Sequence, residues 1–255
     1  MKLIRGAALF IGLLGVAGAT QAGVTSTWTA TSDYDFRGIT QSAGDPALQA
    51  SIDYAHPSGW YIGAWASNIK FGVDEDASGL SDPKIETDVY TGFTKTLESG
   101  LSYDVGGVFY GYPEESTFNY FELYAGVGFT AKSGMSIKGK LFYSPDFGGD
   151  ATPGNTSAEY LSADASFPLP QNFSITAHAG YSFGNYWDSF LKDAALGDKY
   201  FDYSIGVGYT AGKFSLSLKW IDGSDLKESD GTPHDFFSSE GRAVFSVATT
   251  FPWGE

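Results

Sequence analysis

Fifteen ionisable side chains of the 255-residue chain fall on one parity of a repeating two-residue pattern. They are Asp33, Asp35, Arg37, Asp53, Glu86, Asp88, Asp104, Glu122, Lys138, Lys140, Asp164, His178, Asp202, Lys219 and Arg242. Residues two apart lie on the same face of a strand, so these groups share one face of a sheet. A dry core would tolerate so many charges only if each were paired, whereas a wet interior would solvate them. Two readings stay open. Basic residues on some strands could face carboxylates on others and set a transverse field across a narrow pore. Alternatively, they could form interior ion pairs that plug a small barrel.

Other chemistries find less support. There is no Cys, which excludes disulfides, thiol catalysis and thiolate metal sites. His56 precedes Pro57 at a short turn, His234 sits in a long polar stretch, and His178 is mid-strand on the charged face with Ser174, Thr176 and Ser182. A hydrolase at a barrel rim needs Ser, His and an acid on the outer surface, and no GxSxG motif occurs. The chain therefore reads as a non-enzyme that needs no cofactor. Asp74, Asp76 and Asp82, or Asp222, Asp225 and Asp230, supply oxygen ligands for Ca²⁺, but neither run matches an EF-hand loop. A net charge of −15 disfavours nucleic acid as a partner.

The elements that place the charged face are legible as strands. In Tyr120 to Tyr143, Phe121, Leu123, Ala125, Val127 and Phe129 alternate with Tyr120, Glu122, Tyr124, Gly126 and Gly128. After a polar turn at 131–134, Ile137, Gly139, Leu141 and Tyr143 alternate with Lys138 and Lys140. This is a hairpin with arms of about ten residues, enough for a tilted strand to cross a bilayer. Lys138 and Lys140 are expected to oppose Gly126 and Gly128 across the hairpin, where small residues leave room for long ones.

Further strands are predicted at Val24–Arg37, Ala47–His56, Trp60–Phe71, Ile85–Thr96, Leu101–Tyr112, Ala158–Phe167, Phe173–Phe183, Phe201–Tyr209, Phe214–Ile221 and Gly241–Phe251, twelve in all. In the first, Trp28, Ala30, Tyr34 and Phe36 fall on the apolar parity. In the third, Trp60, Tyr61, Ile62 and Trp65 share no parity. Five short and six long connections alternate, and the long ones hold 17 acidic residues against four Lys. Even strand number with loops long at one end only is the pattern of a transmembrane β-barrel with short periplasmic turns and long external loops. An acidic mouth concentrates cations. Equally, it could be a solvated surface bridged to lipopolysaccharide through divalent cations.

Aromatic residues gather at strand ends. Trp60, Phe129, Phe167, Phe173, Tyr209, Phe214 and Phe251 flank short turns, and Phe36, Phe71, Tyr143, Phe183, Phe201 and Trp220 flank long ones, as two interfacial girdles would. Tyr186, Trp187, Phe190, Phe236 and Phe237 lie in long loops, as contact points for an adhesin or as side chains folded inward. Residues 1–22 read as a secretory signal, with Lys2 and Arg5 before the apolar run Ala7 to Val16. That leaves residues 23–255 as one barrel domain.

The segment 25–72 resembles the TorF porin family of proteobacteria, through Ser32-Asp33-Tyr34-Asp35-Phe36-Arg37-Gly38, Gln41-Ser42, Pro46-Ala47-Leu48-Gln49 and Gly59-Trp60-Tyr61. Residues 86–113 fit as well, and the remainder fits by pattern alone. The resemblance implies a pore-forming barrel in the Gram-negative outer membrane and supplies no substrate. Outer-membrane lipid and lipopolysaccharide, the barrel-assembly machinery and small hydrophilic solutes are the partners expected of such a barrel. Pro252-Trp253-Gly254-Glu255 follows Phe251, a departure from barrels that end on Phe. The expected function is a porin with a mild cation preference. The alternative is a non-conducting barrel that serves as an anchor or adhesin through its acidic loops.

Overall fold

The computed structural model describes residues 23–73, 79–151, 156–188, 199–224 and 238–253. Expectations for the 1–22 signal, Asp74, Asp76, Asp225, Asp230, His234, Phe190, Phe236 and Phe237 lie outside the described residues. The strands are β1 (Gly23–Thr31), β2 (Asp35–Phe36), β3 (Ile39–Thr40), β4 (Ala47–Ala55), β5 (Trp60–Asn68), β6 (Ile85–Thr96) and β7 (Leu101–Gly111). They continue with β8 (Tyr120–Thr130), β9 (Ser136–Ser144), β10 (Ala158–Pro168), β11 (Phe173–Phe183), β12 (Tyr200–Ala211), β13 (Phe214–Gly223) and β14 (Arg242–Phe251).

Twelve of these close into one antiparallel up-and-down barrel, in which β1 pairs with both β4 and β14. β2 and β3 form a separate two-stranded ribbon. Three short turns close alike. The N–H groups of Gly59, Gly100 and Gly134 donate to the carbonyls of His56, Leu97 and Ala131, and all three glycines have positive φ, where a Cβ is disfavoured.

The outer surface is the apolar parity. Leu48, Ile52, Leu123, Val127, Ile205 and Leu218 are all exposed, Val127 the most at 65%. An apolar belt of this extent on a closed barrel belongs in hydrocarbon, where every backbone polar group must pair within the sheet. Trp60, Phe129, Phe167, Phe173, Tyr209, Phe214 and Phe251 form the exposed ring at the short-turn end. Tyr143, Phe201 and Trp220 lie on the outer surface toward the other end. Phe251 pairs with Ser26, and its ring stacks on Trp253 at 4.7 Å.

Several expectations are corrected. The first strand stops at Thr31 rather than Arg37: Ser32 N–H makes a last bond to the Phe245 carbonyl of β14, and the chain then turns into the barrel. Tyr34 and Phe36, placed outward by parity, therefore point inside. Tyr34 is 3% exposed, and Phe36 meets the edge of Tyr110 at 5.9 Å. The third strand ends at Asn68, and Lys70 N–H bonds the Gln41 carbonyl in the first loop. Phe71 consequently packs on Tyr112 and Phe118 inside the mouth and takes no part in the girdle. The ambiguous facing of β5 resolves cleanly: Trp60 and Ile62 face lipid, while Tyr61 faces inward and Trp65 packs on Tyr34.

Inside, tyrosines lie across glycines of the neighbouring strand. Tyr61 stands opposite Gly92, and Tyr124 opposite Gly106. A Cβ on Gly106 would sit 2.4 Å from the Tyr124 hydroxyl and 2.5 Å from the Thr91 carbonyl oxygen. Gly106→Ala is therefore expected to cost about 1–3 kcal/mol through overpacking. Gly139→Ala should stay within about 0.5 kcal/mol, since its Cβ would meet only the Ser162 carbonyl at 3.6 Å. Urea unfolding midpoints of the two refolded variants check the contrast.

Candidate functional site

The β2–β3 ribbon is the tip of a loop, residues 32–46, that enters the barrel from the long-loop end. Asp35 pairs with Thr40 and Phe36 with Ile39 around a two-residue turn at Arg37 and Gly38. Both turn residues have positive φ, 53° and 82°. Left-handed backbone is unfavourable for Arg and persists only where the surroundings over-determine it. Those surroundings are visible. Arg37 Nη2 donates to Glu122 Oε2 at 2.5 Å, with both side chains almost fully buried. Its guanidinium lies 4.3 Å from the Tyr160 ring centroid, 4.6 Å from Phe36 and 5.1 Å from Phe142. Gly38 has to be Gly, because a Cβ there would fall 2.5 Å from Cβ of Asp202.

The base of the loop is tied by a second guanidinium. Arg242 Nε donates to Asp33 Oδ2 at 2.5 Å, Nη2 to Asp35 Oδ1 at 2.7 Å, and Nη1 to the Gly38 carbonyl at 2.9 Å. Asp33 also accepts from Thr40 Oγ1 and Ser42 Oγ. The Tyr34 hydroxyl donates to Glu86 Oε1 at 3.1 Å, and Tyr110 donates to Glu122 Oε2 at 3.0 Å. Around this hairpin Tyr34, Ile39, Tyr110, Tyr120, Phe147 and Tyr200 belong to one buried, mostly aromatic cluster. The half of the barrel nearer the long loops is thus filled by its own first loop.

Toward the short turns the inward groups are less buried. Lys140 Nζ donates to Asp104 Oδ2 at 2.6 Å and lies 4.6 Å from the Tyr124 ring centroid. Asp104 also accepts from Tyr61, whose hydroxyl meets that of Tyr124, while Tyr90 donates to Asp53. Lys140 and Lys138 stand opposite Gly126 and Gly128, as the small-against-long argument required. Lys138 is also opposite Asp164 on β10. His178 Nδ1 is 2.7 Å from Asp164 and Nε2 is 2.9 Å from Asp202, with Tyr160 at the same nitrogen. With both ring nitrogens engaged, the imidazole ties Asp164 of β10 to Asp202 of β12 across β11.

Each of the fifteen residues singled out by parity thus faces the interior. Asp33, Asp35 and Arg37 do so from the inserted loop and not from β1. Glu86, Asp88, Glu122 and Asp202 are buried at the filled level, with Arg242 at the loop base. Asp53, Asp104, Lys138, Lys140, Asp164, His178 and Lys219 retain partial exposure. Sequence reasoning missed the aromatic filling. Its signal was available in the inward parity of Tyr61, Tyr90, Tyr110, Tyr120, Tyr124, Tyr160 and Tyr200. Among the described residues no group of three or more His, Asp or Glu is arranged to hold a metal ion.

A family model described as a bacterial protein of unknown function, Gcw_chp, matches residues 16–251. The chain belongs to the Gcw_chp family. No curated protein matches it. Among solved structures, the KdgM porin superposes with a TM-score of 0.56 at 8% identity, covering 90% of this chain and 99% of the porin. The NanC porin gives 0.56 at 7% identity, with 89% and 98% covered. A KdgM porin in complex with disordered oligogalacturonate gives 0.54 at 8% identity, with 91% and 99% covered. At these identities the likeness is one of fold: this Gcw_chp chain has the barrel architecture of outer-membrane porins.

The loop of this Gcw_chp protein carries a titratable group outside the spanning strands. Burial pushes the Asp35 carboxyl up to about 6. Arg242 and Lys219 pull it down, and Asp202 and Asp33 add to the rise. A raised carboxylate favours the inserted loop most fully below its ordinary value of 3.8, and that contribution is lost as pH rises through about 6. Because the chain has no Cys, an Ile39→Cys thiol can report loop release. Allowing for the partial exposure of Asp35, the thiol's labelling rate, relative to a free cysteine peptide at the same pH, should fall about threefold to fivefold from pH 7 to pH 5. Adding Asp35→Asn should give the low rate at both pH values.

Proposed function

We propose that this protein is an outer-membrane channel for small hydrophilic solutes, biased toward cations and narrowed in its outer half by the inserted first loop. The observation that carries the reading is the lumen itself. Inside a closed barrel with a lipid-facing apolar belt, nine carboxylates face inward from the described residues: Asp33, Asp35, Asp53, Glu86, Asp88, Asp104, Glu122, Asp164 and Asp202. Opposing them are Arg37, Lys138, Lys140, Lys219, Arg242 and His178. A pore wall with surplus negative charge favours cations, more so at low ionic strength.

The resemblance of residues 25–72 to the TorF porins supports the same reading, and so does the porin architecture. Under it, residues 1–22 direct export, the barrel-assembly machinery inserts the barrel, and lipid and lipopolysaccharide surround it. Lys138, Lys140, Asp104 and Asp164 line the wetter half of the path. Arg37 and Glu122 form its narrowest point.

A second reading has an observation in its favour. The burial of Tyr34, Arg37 and Glu122 within the aromatic cluster suits a plugged barrel that acts as an anchor or adhesin. Planar-bilayer recording of Gly23–Glu255 under a KCl gradient separates the two. Small stepwise currents with a cation-selective reversal potential are expected. Arg37→Ala, which removes the cross-lumen pair, should raise unit conductance by about twofold or more by widening the narrowest point. No current from either form, with the barrel folded, would leave the plugged reading standing. In the conducting form, Lys138→Glu and Lys140→Glu should each shift the reversal potential further toward cations, and an unchanged potential would remove these lysines from selectivity.

A further inference from the structure

Asp88 is the one inward carboxylate at the filled level that the structure leaves unanswered. It lies in β6, opposite Trp65 of β5 and Tyr110 of β7. It is 0% exposed, and neither Oδ1 nor Oδ2 has a hydrogen-bond partner. Its acidic neighbours are served otherwise. Glu86 takes the Tyr34 hydroxyl, and Glu122 takes Arg37 and Tyr110. Glu86 lies two residues from Asp88 on the same face of β6, and Glu122 holds the hydroxyl of Tyr110, the residue opposite Asp88. Three carboxylates thus share one buried region with a single guanidinium, and that guanidinium is committed to Glu122. A buried charge without a partner is strongly destabilising, so a buried carboxyl is paired, holds a cation or takes up a proton.

We infer that Asp88, with Glu86, forms a binding site for a monovalent alkali cation beneath the inserted loop. The chemistry argues against a divalent ion. Ca²⁺ takes six to eight oxygen ligands, often several of them carboxylates, and no group of three acidic or His side chains is arranged around a common point among the described residues. A Na⁺ or K⁺ ion at the Asp88–Glu86 pair would relieve the repulsion while the Tyr34–Glu86 bond persists, so the ion would also help seat the loop. A permeation path with surplus negative charge would deliver it. The site does not depend on conduction, and a barrel that proves silent in a bilayer would still bind.

The test uses the refolded barrel in detergent at pH 7.5, with Na⁺ replaced stepwise by N-methyl-D-glucamine at constant ionic strength. Broadening of the ²³Na NMR line by the wild-type barrel, displaced by K⁺, reads binding directly, and the urea midpoint reads the linked stability. Saturable broadening and a midpoint that rises with Na⁺ are expected. In Asp88→Asn both responses should vanish, and in Glu86→Gln the half-saturating Na⁺ concentration should rise about tenfold. If Asp88→Asn fails to fold, Glu86→Gln carries the test, and an unchanged half-saturation there overturns the inference. A wild-type midpoint indifferent to the cation, together with a folded Asp88→Asn barrel of equal or greater stability in both salts, would also overturn it. That outcome would show that the carboxyl carries a proton.

Discussion

Hydrocarbon offers no hydrogen bonds, and this is the constraint on which the rest of the structure depends. A backbone amide left facing lipid costs several kcal/mol, so a sheet in a bilayer has to close. Here closure falls between β1 and β14, from Ser26–Phe251 to Thr31–Ser246. Once the cylinder is closed, the two parities of every strand have different solvents. Val127, Leu123 and Ile205 meet lipid, and Glu122, Tyr124 and Asp202 are confined with one another. The charges on the inward parity have to be accommodated in that enclosed volume.

The enclosed volume is divided. Near the long loops the chain fills it with its own residues, using rings and a guanidinium whose charge is met by Glu122. Near the short turns, Lys140–Asp104 and His178 between Asp164 and Asp202 leave partly exposed polar surface. The inserted loop is anchored at its base by Arg242 and at its tip by Arg37, so its two cations do different work. Arg242 bonds carboxylates of the loop itself, while Arg37 reaches across to β8. The strained backbone at Arg37 and the close approach of Gly38 to Asp202 place the most demanding local geometry at the tip of the inserted loop.

Much of this was legible beforehand. Phe173–Phe183 and Ile85–Thr96 were bounded correctly from alternation alone. That Lys138 and Lys140 oppose Gly126 and Gly128 followed from a short turn and residue size, and the structure fixed which lysine meets which glycine. The failures cluster in one place. Alternation continues unbroken from Ser26 to Phe36, so nothing local marks the bend after Thr31. Tyr34 and Phe36 look like lipid-facing aromatics, and Phe71 looks like a girdle residue. The motif that carries the resemblance, Asp33 to Gly38, turns out to be the loop that enters the barrel.

The sequence by itself determined the number of barrel strands, the facing of most residues within them and the acidity of the interior. Period-two patterning and turn chemistry act within a few residues, so they can be read along the chain. Only the tertiary structure decided that the first loop occupies the outer half of the lumen. The contacts that hold it join Arg37 to Glu122 and Arg242 to Asp33, separated by 85 and 209 positions. Closing the barrel is what brings such distant charges within reach of one another.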